Sequence, residues 1–324
     1  MFSEKVSVII PTYNYANFIK EAIDSIFQQT YPSELIEVII VDDGSVDETA
    51  KVLEPYLSHN VKYFYQENKG KANATKRAIE KCSGKYIFNL DADDYFYKDK
   101  ISRSVEIFEK HPLLVHVASP ADFYDTKSKI SVSEQLPADL VGKYLNGMWL
   151  MKRFYNSNIL FGGGTTFAAR SSVLKSIVIP DRVDMYIDEF LILAILPFGE
   201  SFFFEDPLSV WRVHGANYSG NGLVDEKFIN KSRRLLSSSK AVLSYLQEND
   251  FDKEIIKIYK LQDATRRISF MESTNQKKAR HIFHYAKEVF IDIGPNWNLV
   301  KNYNVINRLI PSSLFNILKK MNTH

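Results

Sequence analysis

The sequence predicts an α/β fold with a mostly parallel sheet and helices on both faces, followed by a C-terminal helical region. Over the first hundred of its 324 residues, apolar runs typical of strands alternate with segments whose apolar residues recur at helical spacing. From about residue 224 onward the pattern is helical. The turn residues of NYSGNG indicate a boundary near residue 220. We therefore predict an α/β domain over residues 1–220 and a helical region over residues 221–324.

The first four strands and the helices between them follow from local patterns. IEVIIV is a near-continuous apolar run, typical of a strand that is covered on both faces. Ser45 is predicted to open a helix, because Glu48 three residues later would complete a capping box, and Gly84 is predicted to end the next helix. The predicted strands are KVSVII, IEVIIV, VKYFYQ and KYIFNL, and the best-defined helices between them are ANFIKEAIDSIFQQ and ANATKRAIEKC.

Beyond about residue 110 the patterns are looser. Residues 120–160 mix aromatic residues, Asn and Lys, which predicts loops with short helices. PLLVHVAS predicts a strand, DEFLILAIL a buried helix, and SFFFEDPLSVWRVHG pieces of strand. The C-terminal region predicts three helices, at FINKSRRLLSSSKAVLSYLQ, KEIIKIYKLQDATRRISFM and QKKARHIFHYAKEVF.

Composition limits the class of protein. The formal net charge of +2 gives no overall nucleic-acid signature. The longest apolar run, FLILAILPF, is far below the roughly 20 residues that span a bilayer. The single cysteine, Cys82, excludes an internal disulfide framework and fits a reducing compartment. We therefore expect a globular protein of the cytoplasm that binds no nucleic acid.

Polar residues follow each of the first four predicted strands, in PTYN (Pro11 to Asn14), VDDGS (Val41 to Ser45), ENKGK (Glu67 to Lys71) and DADD (Asp91 to Asp94). Ligands of open α/β sheets lie outside the carboxyl ends of the strands, so these groups are predicted to share one edge. Taken singly, DDGS could instead be a helix N-terminus and DADD a solvated turn. Asp91 and Asp93 face the same side of an extended chain, which fits one cation held by carboxylates.

The series VSVIIPTYN…VIIVDDGSVDET…NKGKANATKRAI…GKYIFNLDADDYFYKDKI resembles the N-terminal half of family-2 glycosyltransferases with the GT-A fold. The resemblance covers about residues 5–110 strongly and continues loosely through DEFLILAIL and WRVHGANYS. It implies an inverting, metal-dependent transfer of a hexosyl or N-acetylhexosaminyl group from a nucleotide diphosphate sugar, with a UDP-sugar favoured. The implied acceptor is a saccharide or lipid-linked saccharide in the synthesis of a bacterial cell-surface polysaccharide.

The resemblance also implies roles for individual residues. In the family, the ends of the first two strands hold the nucleotide base and ribose, and the NKG segment lines the nucleotide side. The first acid of the D-x-D motif contacts ribose or sugar, and the second, here Asp93, contacts Mn²⁺ or Mg²⁺. The residues implied to bind the nucleotide sugar are Pro11, Tyr13, Asp43, Asn68, Gly70, Lys71 and Asp91, with Asp42 and Asp94 in support.

The residue that accepts the proton is expected at the start of a later helix. An inverting transfer needs one carboxylate to take the proton of the acceptor hydroxyl. Alignment of MYIDEFLILAIL on the family pattern implies Asp188, with Glu189 as the alternative; both acids could instead only begin a helix. WRVHGANYS resembles a further family segment, which implies that Arg212 pairs with the diphosphate and that His214 completes the metal shell or contacts the diphosphate.

The sequence leaves alternatives open for function and for the C-terminal region. A non-catalytic member of the same fold, which binds sugar nucleotide or scaffolds an assembly, is the alternative function. A sugar-phosphate nucleotidyltransferase is disfavoured, because PTYNYANF lacks a glycine-rich loop with a basic residue. The basic C-terminal helices, and NRLIPSSLFNILKKM in particular, predict peripheral contact with the inner face of the cytoplasmic membrane or with a partner. The competing interpretation is a solvated face on helices packed against the catalytic domain.

Overall fold

The computed structural model describes residues 2–184, 186–215, 226–294 and 297–310. The chain divides into two compact units, one of residues 1–150 and 161–220 and the other of residues 151–160 and 221–324. The boundary predicted near residue 220 lies outside the described residues. The grouping of residues 151–160 with the C-terminal helices has no counterpart in the division drawn from sequence.

The described strands all lie in the first unit and form two sheets. In chain order they are β1 (Val6–Thr12), β2 (Ile36–Asp42), β3 (Val61–Tyr65), β4 (Tyr86–Asn89), β5 (Tyr95–Phe96), β6 (Leu114–Ala118), β7 (Ala121–Asp125), β8 (Ser131–Ser133), β9 (Tyr144–Asn146), β10 (Ala168–Arg170), β11 (Glu200–Phe203) and β12 (Ser209–Val213). Among these residues, the larger sheet has the order β3-β2-β1-β4-β10-β6-β11-β9 and the smaller has the order β5-β12-β7-β8.

The described helices are α1 (Ile19–Phe27), α2 (Thr49–Leu53), α3 (Lys71–Lys81), α4 (Lys100–Lys110), α5 (Gly147–Ser157), α6 (Ser171–Leu174), α7 (Ile187–Ile195), α8 (Glu226–Glu248), α9 (Lys253–Ser273), α10 (Ala279–Lys287), α11 (Trp297–Asn302) and α12 (Val305–Leu309). Short 3₁₀ turns lie at Ser33–Leu35, Glu54–Tyr56, Gly164–Thr166 and Leu196–Phe198, and a π-helical segment follows α10 at Glu288–Ile293. The three helices predicted for the C-terminal region are confirmed as α8, α9 and α10 with its π-helical extension.

Strand pairing brings the carboxyl ends of the first four strands to one edge. β1 pairs parallel with both β2 and β4, and β2 pairs parallel with β3. β1, β2 and β4 are buried along their whole length, which explains their near-continuous apolar sequences. β10 lies between β4 and β6 and is antiparallel to both. The predicted α/β class with a mostly parallel sheet is confirmed, and the order of strand addition reverses at the β1–β4 pair, where such sheets bind ligands.

Residues 120–160 are not the loops with short helices that the sequence predicts. They contain β7, β8, β9 and α5. β7 pairs with β8 and β12 in the smaller sheet, and β9 pairs with β11 in the larger one. The prediction is wrong because these strands are short and lie near sheet edges. All of β8 is exposed, so it lacks the apolar alternation that signals a strand.

The helix predicted to open at Ser45 begins at Thr49 instead. The carboxylate of Asp47 accepts a hydrogen bond from the backbone N–H of Thr49 at 3.0 Å. The hydroxyl of Ser45 accepts one from the backbone N–H of Asn14 at 2.8 Å. The predicted capping box of Ser45 and Glu48 is therefore wrong, because Ser45 is used to hold the loop after β2 against the loop after β1.

Glu37 is a buried acid near the amino end of β2. Its carboxylate accepts hydrogen bonds from the Ser7 hydroxyl at 2.6 Å, the Ser83 hydroxyl at 2.9 Å and the Gly84 N–H at 3.1 Å. The ammonium group of Lys5 lies 3.1 Å away. Burial alone would raise the pKa of Glu37, but the hydrogen bonds outweigh it and lower the pKa to about 2. The ionised carboxylate therefore stabilises the folded chain.

We expect Glu37 to make the fold sensitive to acid. Its ordinary pKa is 4.5, so as the pH falls the unfolded chain takes up this proton before the folded chain does. The stabilisation, of the order of 3 kcal/mol, is present above about pH 4.5 and is lost as the pH falls towards 2. Urea unfolding at pH 7 and pH 3 measures the effect. The free energy of unfolding should fall further with acid in the wild type than in Glu37→Gln; equal losses would contradict the assignment.

The second unit holds residues 151–160 by specific contacts. Lys152 forms an ion pair with Asp252 at 2.9 Å. Asp252 also caps α9, because its carboxylate accepts the backbone N–H of Glu254 at 2.8 Å. The hydroxyl of Tyr303 donates to the backbone carbonyl of Tyr155 at 2.7 Å. These contacts explain why this segment groups with the C-terminal helices.

The sequence predicts that no segment spans a bilayer and that the C-terminal basic helices contact a membrane or a partner. Within the described ranges, each helix is too short or too polar to cross a bilayer. The amphipathic segment NRLIPSSLFNILKKM lies outside the described residues from residue 311 onward.

Candidate active site

Hydrogen bonds join the loops after β1 and β2 at the carboxyl edge of the sheet. Asn14 adopts a left-handed backbone with φ of 58°, and its side-chain oxygen accepts the backbone N–H of Val46 at 2.9 Å. Pro11 is buried in β1 opposite Val41. Tyr13, in contrast, is exposed. Of the two residues implied to hold a nucleotide at the end of β1, Pro11 and Tyr13, Tyr13 is therefore the one whose side chain faces solvent.

Asp43 holds the loop that leads into α3. One of its carboxylate oxygens accepts the backbone N–H of Lys69 and the side-chain amide of Gln66, both at 2.8 Å. The other accepts the backbone N–H of Gly70 at 2.7 Å. Asp42 beside it is also hydrogen-bonded within the protein, as its predicted supporting role requires. The structure thus brings Asp43 to the predicted NKG segment, and a direct contact of Asp43 with a nucleotide stays a prediction.

Gly44 lets this loop lie close to the end of β2. Its φ is +88°, and a Cβ added to it would lie 2.9 Å from the backbone nitrogen of Asn68. We expect Gly44→Ala to lower the free energy of unfolding by roughly 2 kcal/mol, because the backbone is strained and the loop must move. Gly215→Ala is the matched control, since a Cβ there meets no atom of the described residues within 4 Å. Urea unfolding compares the two variants, and equal stabilities would show that the close approach is unimportant.

The ammonium group of Lys71 joins two acids from distant parts of the sequence. Its Nζ lies 2.9 Å from Oδ2 of Asp91, which follows β4, and 3.0 Å from Oδ2 of Asp188, in the first turn of α7. Removal from water opposes the charge of Lys71, but the carboxylates of Asp188 and Asp91 outweigh it and raise the pKa of Lys71. The structure therefore brings together the implied base, the first acid of the D-x-D segment and an implied nucleotide-binding lysine.

The carboxylate of Asp188 is accessible, since 39% of its side-chain surface is exposed. Its protein surroundings raise its pKa through desolvation; Lys71 opposes this effect and the charge of Asp91 adds to it. A Cβ on Gly163 would lie 3.3 Å from the Cβ of Asp188, so the glycine-rich segment runs directly beside this acid. Glu189, the alternative base, lies in the same helical turn and is partly buried. An accessible carboxylate paired with a lysine can accept a proton.

Thr165 holds the aspartates that follow β4. Its hydroxyl accepts the backbone N–H of Asp91 at 3.2 Å and donates to the carboxylate of Asp94. Asp93 and Asp94 are both buried. Burial and the charge of Asp91 raise the pKa of both carboxyls. Ionised Asp91, Asp93 and Asp94 therefore repel one another in the protein alone. A nearby cation would reduce this repulsion.

His214 lies against Asp93, with its Nε2 atom 3.2 Å from Oδ2 of the acid. The His214 ring stacks on Phe18 with the ring centroids 4.2 Å apart, and Tyr15 meets its edge at 6.3 Å. Burial and the charge of Asp93 raise the pKa of Tyr15. The 3.2 Å separation of Asp93 and His214 is that of a hydrogen bond, and it also matches the roughly 3 Å between neighbouring ligands of an octahedral cation. Within the described residues, no group of three or more His, Cys, Asp or Glu side chains is placed to hold a metal.

Arg212 is buried and its guanidinium contacts the backbone of the aspartate loop. Its Nε donates to the carbonyl of Asp93, and one terminal nitrogen donates to the carbonyl of Phe18 at 3.2 Å. Its other terminal nitrogen pairs with Glu21. This arrangement does not support the predicted contact with a diphosphate, because the guanidinium would have to leave these partners. The contacts are those of a residue that supports the loop.

Sequence reasoning missed Tyr15 and Thr165. Tyr15 directly follows PTYN, and Thr165 directly follows the three glycines of FGGG. Tyr15 therefore adjoins a segment that the sequence analysis singled out, and Thr165 adjoins a glycine-rich run. Their contacts with the aspartates arise only on folding, so position beside a motif is the one signal that could have found them.

Comparison with known proteins shows which family the sequence resembles, independently of the site geometry. The family model described as Glycosyl transferase family 2 matches residues 7–178. Among curated proteins, an uncharacterized glycosyltransferase of Rickettsia prowazekii (strain Madrid E) is 43% identical over 110 residues. The match covers 34% of this chain and 34% of that protein. The chain therefore spans about a third of the length of this relative.

Two solved structures are similar to the chain. S. aureus TarS in complex with UDP-GlcNAc matches with a TM-score of 0.59 and 16% identity, over 98% of this chain and 92% of that chain. The mannosyltransferase PcManGT from Pyrobaculum calidifontis, in complex with GDP-Man and Mn²⁺, matches with a TM-score of 0.55 and 18% identity. That match covers 99% of this chain and 89% of the other. At these identities the similarity shows the fold.

Proposed function

Because the chain belongs to glycosyltransferase family 2 and has the GT-A fold, we propose that it is an inverting, metal-dependent glycosyltransferase. The donor is a nucleotide diphosphate sugar, a UDP-sugar in the first instance, and the transferred group is a hexosyl or N-acetylhexosaminyl group. The acceptor is a saccharide or lipid-linked saccharide of a bacterial cell-surface polysaccharide, at the inner face of the cytoplasmic membrane. The observation that carries the proposal is the Lys71 ammonium group shared by Asp91 and Asp188.

The donor is proposed to lie along the carboxyl edge of β1, β2 and β4. Tyr13 is exposed there, and Asp43 holds the segment that contains Asn68 and Gly70. Asp91, which accepts a hydrogen bond from the Asn89 amide at 3.1 Å, is proposed to contact the ribose or sugar. TarS and PcManGT support a nucleotide-sugar donor, since these structures contain UDP-GlcNAc and GDP-Man on the same fold.

A divalent cation, Mn²⁺ or Mg²⁺, is proposed to be held by Asp93 and His214 together with oxygens of the donor diphosphate. The 3.2 Å separation of the two side chains fits a shared ion, and carboxylate and phosphate oxygens suit both metals. When bound, the cation supplies positive charge that neutralises the departing nucleoside diphosphate. The Mn²⁺ in the PcManGT complex supports this assignment.

Asp188 is proposed to take the proton from the acceptor hydroxyl. As the proton moves to a carboxylate oxygen, the hydroxyl oxygen bonds to the anomeric carbon of the sugar. The bond from that carbon to the diphosphate breaks, and its electron pair stays on the diphosphate oxygen. A single displacement from the opposite side inverts the configuration. Lys71 favours the ionised form of Asp188 and holds it beside Asp91 before the reaction.

The alternative is a non-catalytic member that binds a sugar nucleotide or scaffolds an assembly. Such a protein would need the residues that bind the donor but no accessible acid beside them. The partly exposed carboxylate of Asp188 and its ion pair with Lys71 favour catalysis.

Thermal unfolding with UDP, GDP, CMP or dTDP, each with and without Mn²⁺, tests the proposal. A nucleotide at about 100 times its dissociation constant should stabilise the fold by roughly 2.7 kcal/mol. We expect this shift for UDP, only with Mn²⁺, and not in Asp93→Asn. A shift for another nucleotide would change the donor class, and no shift with any of them would contradict the proposed function.

A further inference from the structure

The second unit exposes large apolar side chains along one helical face. Phe283 is 69% exposed and Ile291 is 73% exposed. Phe283, Phe290 and Ile291 are exposed, whereas Tyr285, Val289 and Ile293 are buried, so the exposed side chains lie on the side of α10 and its π-helical extension that faces solvent. Trp297, at the start of α11, is 79% exposed. Apolar side chains grouped on a surface in this way indicate an interaction site.

Positive charge accompanies these apolar side chains. Arg280 and Lys287, three residues before and four residues after Phe283, are exposed on the same face of α10. Residues 277–310 contain six lysines and arginines, two of which, Lys277 and Arg308, pair with Glu272, and two acids, Glu288 and Asp292. Glu288 forms an ion pair with an arginine of α9 at 2.7 Å, so its charge is already compensated. The apolar side chains therefore lie in a positive electrostatic environment.

We propose that this surface docks on an anionic lipid bilayer. It is defined by Arg280, Phe283, Lys287, Phe290, Ile291 and Trp297, and is called the basic–apolar surface below. Aromatic and aliphatic side chains combined with lysine and arginine are the composition of helices that lie in a bilayer interface, where the apolar groups enter the acyl boundary and the cations meet lipid phosphates. The inference rests on the proposed function only for the presence of a lipid-linked acceptor in the bilayer.

Two other occupants fit the surface less well. A symmetric contact with a second copy would bring the cations of the two copies together, and like charges that meet across an interface are unfavourable. Single-stranded nucleic acid would stack on aromatic rings, but Ile291 has no ring to stack on a base. A bilayer accommodates the aliphatic side chain, the aromatic rings and the cations together.

Cosedimentation of the full chain with vesicles tests the proposal. We expect binding to vesicles of mixed phosphatidylcholine and phosphatidylglycerol, weaker binding in high salt and little binding to phosphatidylcholine alone. Substituting Phe283, Ile291 and Trp297 by Ser together should weaken binding by about tenfold or more. Val178→Ser is the matched control, because Val178 is an apolar residue of the first unit that is 75% exposed. Thermal unfolding should show that both proteins remain folded.

Substituting Arg280 and Lys287 by Ser should remove the preference for anionic vesicles. The proposal is overturned if the chain binds neither vesicle, or if the triple variant binds like the wild type. It is also overturned if the same substitutions instead abolish a concentration-dependent dimer, or binding to an oligonucleotide, without any effect on vesicles. The UDP-dependent thermal shift should be unchanged in every variant, so failure of docking is distinguishable from failure of the proposed function.

Discussion

Asp188→Asn is expected to lower kcat by about a thousandfold while the KM for the donor stays near its wild-type value. The amide keeps the shape of the side chain, and its oxygen can still accept a hydrogen bond from Lys71, but it cannot take a proton from the acceptor. Donor binding uses other residues, so the Mn²⁺-dependent thermal shift with nucleotide should remain. The measurement is the rate of nucleoside diphosphate release at several donor concentrations.

Glu189→Gln is the control for Asp188, because Glu189 lies in the same turn of α7. Its kcat should change by less than about tenfold. The opposite ranking of the two variants would make Glu189 the base. Loss of donor binding in Asp188→Asn would instead give Asp188 a structural role.

Asp93→Asn is expected to lower transfer by at least about a thousandfold and to remove the effect of Mn²⁺ on donor binding. The physical reason is the loss of the charged oxygen proposed to hold the cation beside the diphosphate. Because burial and the charge of Asp91 already disfavour ionised Asp93, the free energy of unfolding without metal should not fall. Transfer rates, nucleotide thermal shifts and urea unfolding measure the three effects.

Asp206→Asn is the control for Asp93. Asp206 is an exposed acid of the same unit that pairs with Arg103 at 3.3 Å, and such surface pairs contribute little. Its transfer rate and its response to Mn²⁺ should match those of the wild type. Wild-type transfer by Asp93→Asn would exclude Asp93 as an essential metal ligand.

The fold of the first hundred residues could be predicted because its signals are local. β1, β2 and β4 are buried throughout, so their sequences are near-continuous apolar runs that are easily recognised. β8 gives no such signal, because its residues are exposed and it gains its identity as a strand only by pairing with β7. Ser45 is a second example of a non-local contact that the sequence does not show. Its sequence is that of a helix cap, but its hydroxyl accepts a hydrogen bond from Asn14 in the neighbouring loop.

Several residues of the candidate site could be predicted from the sequence, but the contacts between them could not. Lys71 and Asp188 were each singled out from sequence, yet their ion pair joins residues 117 positions apart and depends on where α3 and α7 begin. Thr165 likewise contacts Asp91 and Asp94 only after the glycine-rich segment folds beside β4. Arg212 shows the converse case. Its motif implied a ligand contact, whereas its buried guanidinium contacts the loop backbone, and no sequence pattern reports which way a side chain turns.

The most direct test of the proposed activity is release of nucleoside diphosphate from a panel of UDP-, GDP-, CMP- and dTDP-linked sugars, with Mn²⁺ and with a chelator. The wild type should release UDP from at least one UDP-sugar only when metal is present. Asp93→Asn and Asp188→Asn should each be slower by about a thousandfold. No release from any donor, or equal rates in the wild type and both variants, would contradict a glycosyltransferase site built on Asp91, Asp93 and Asp188.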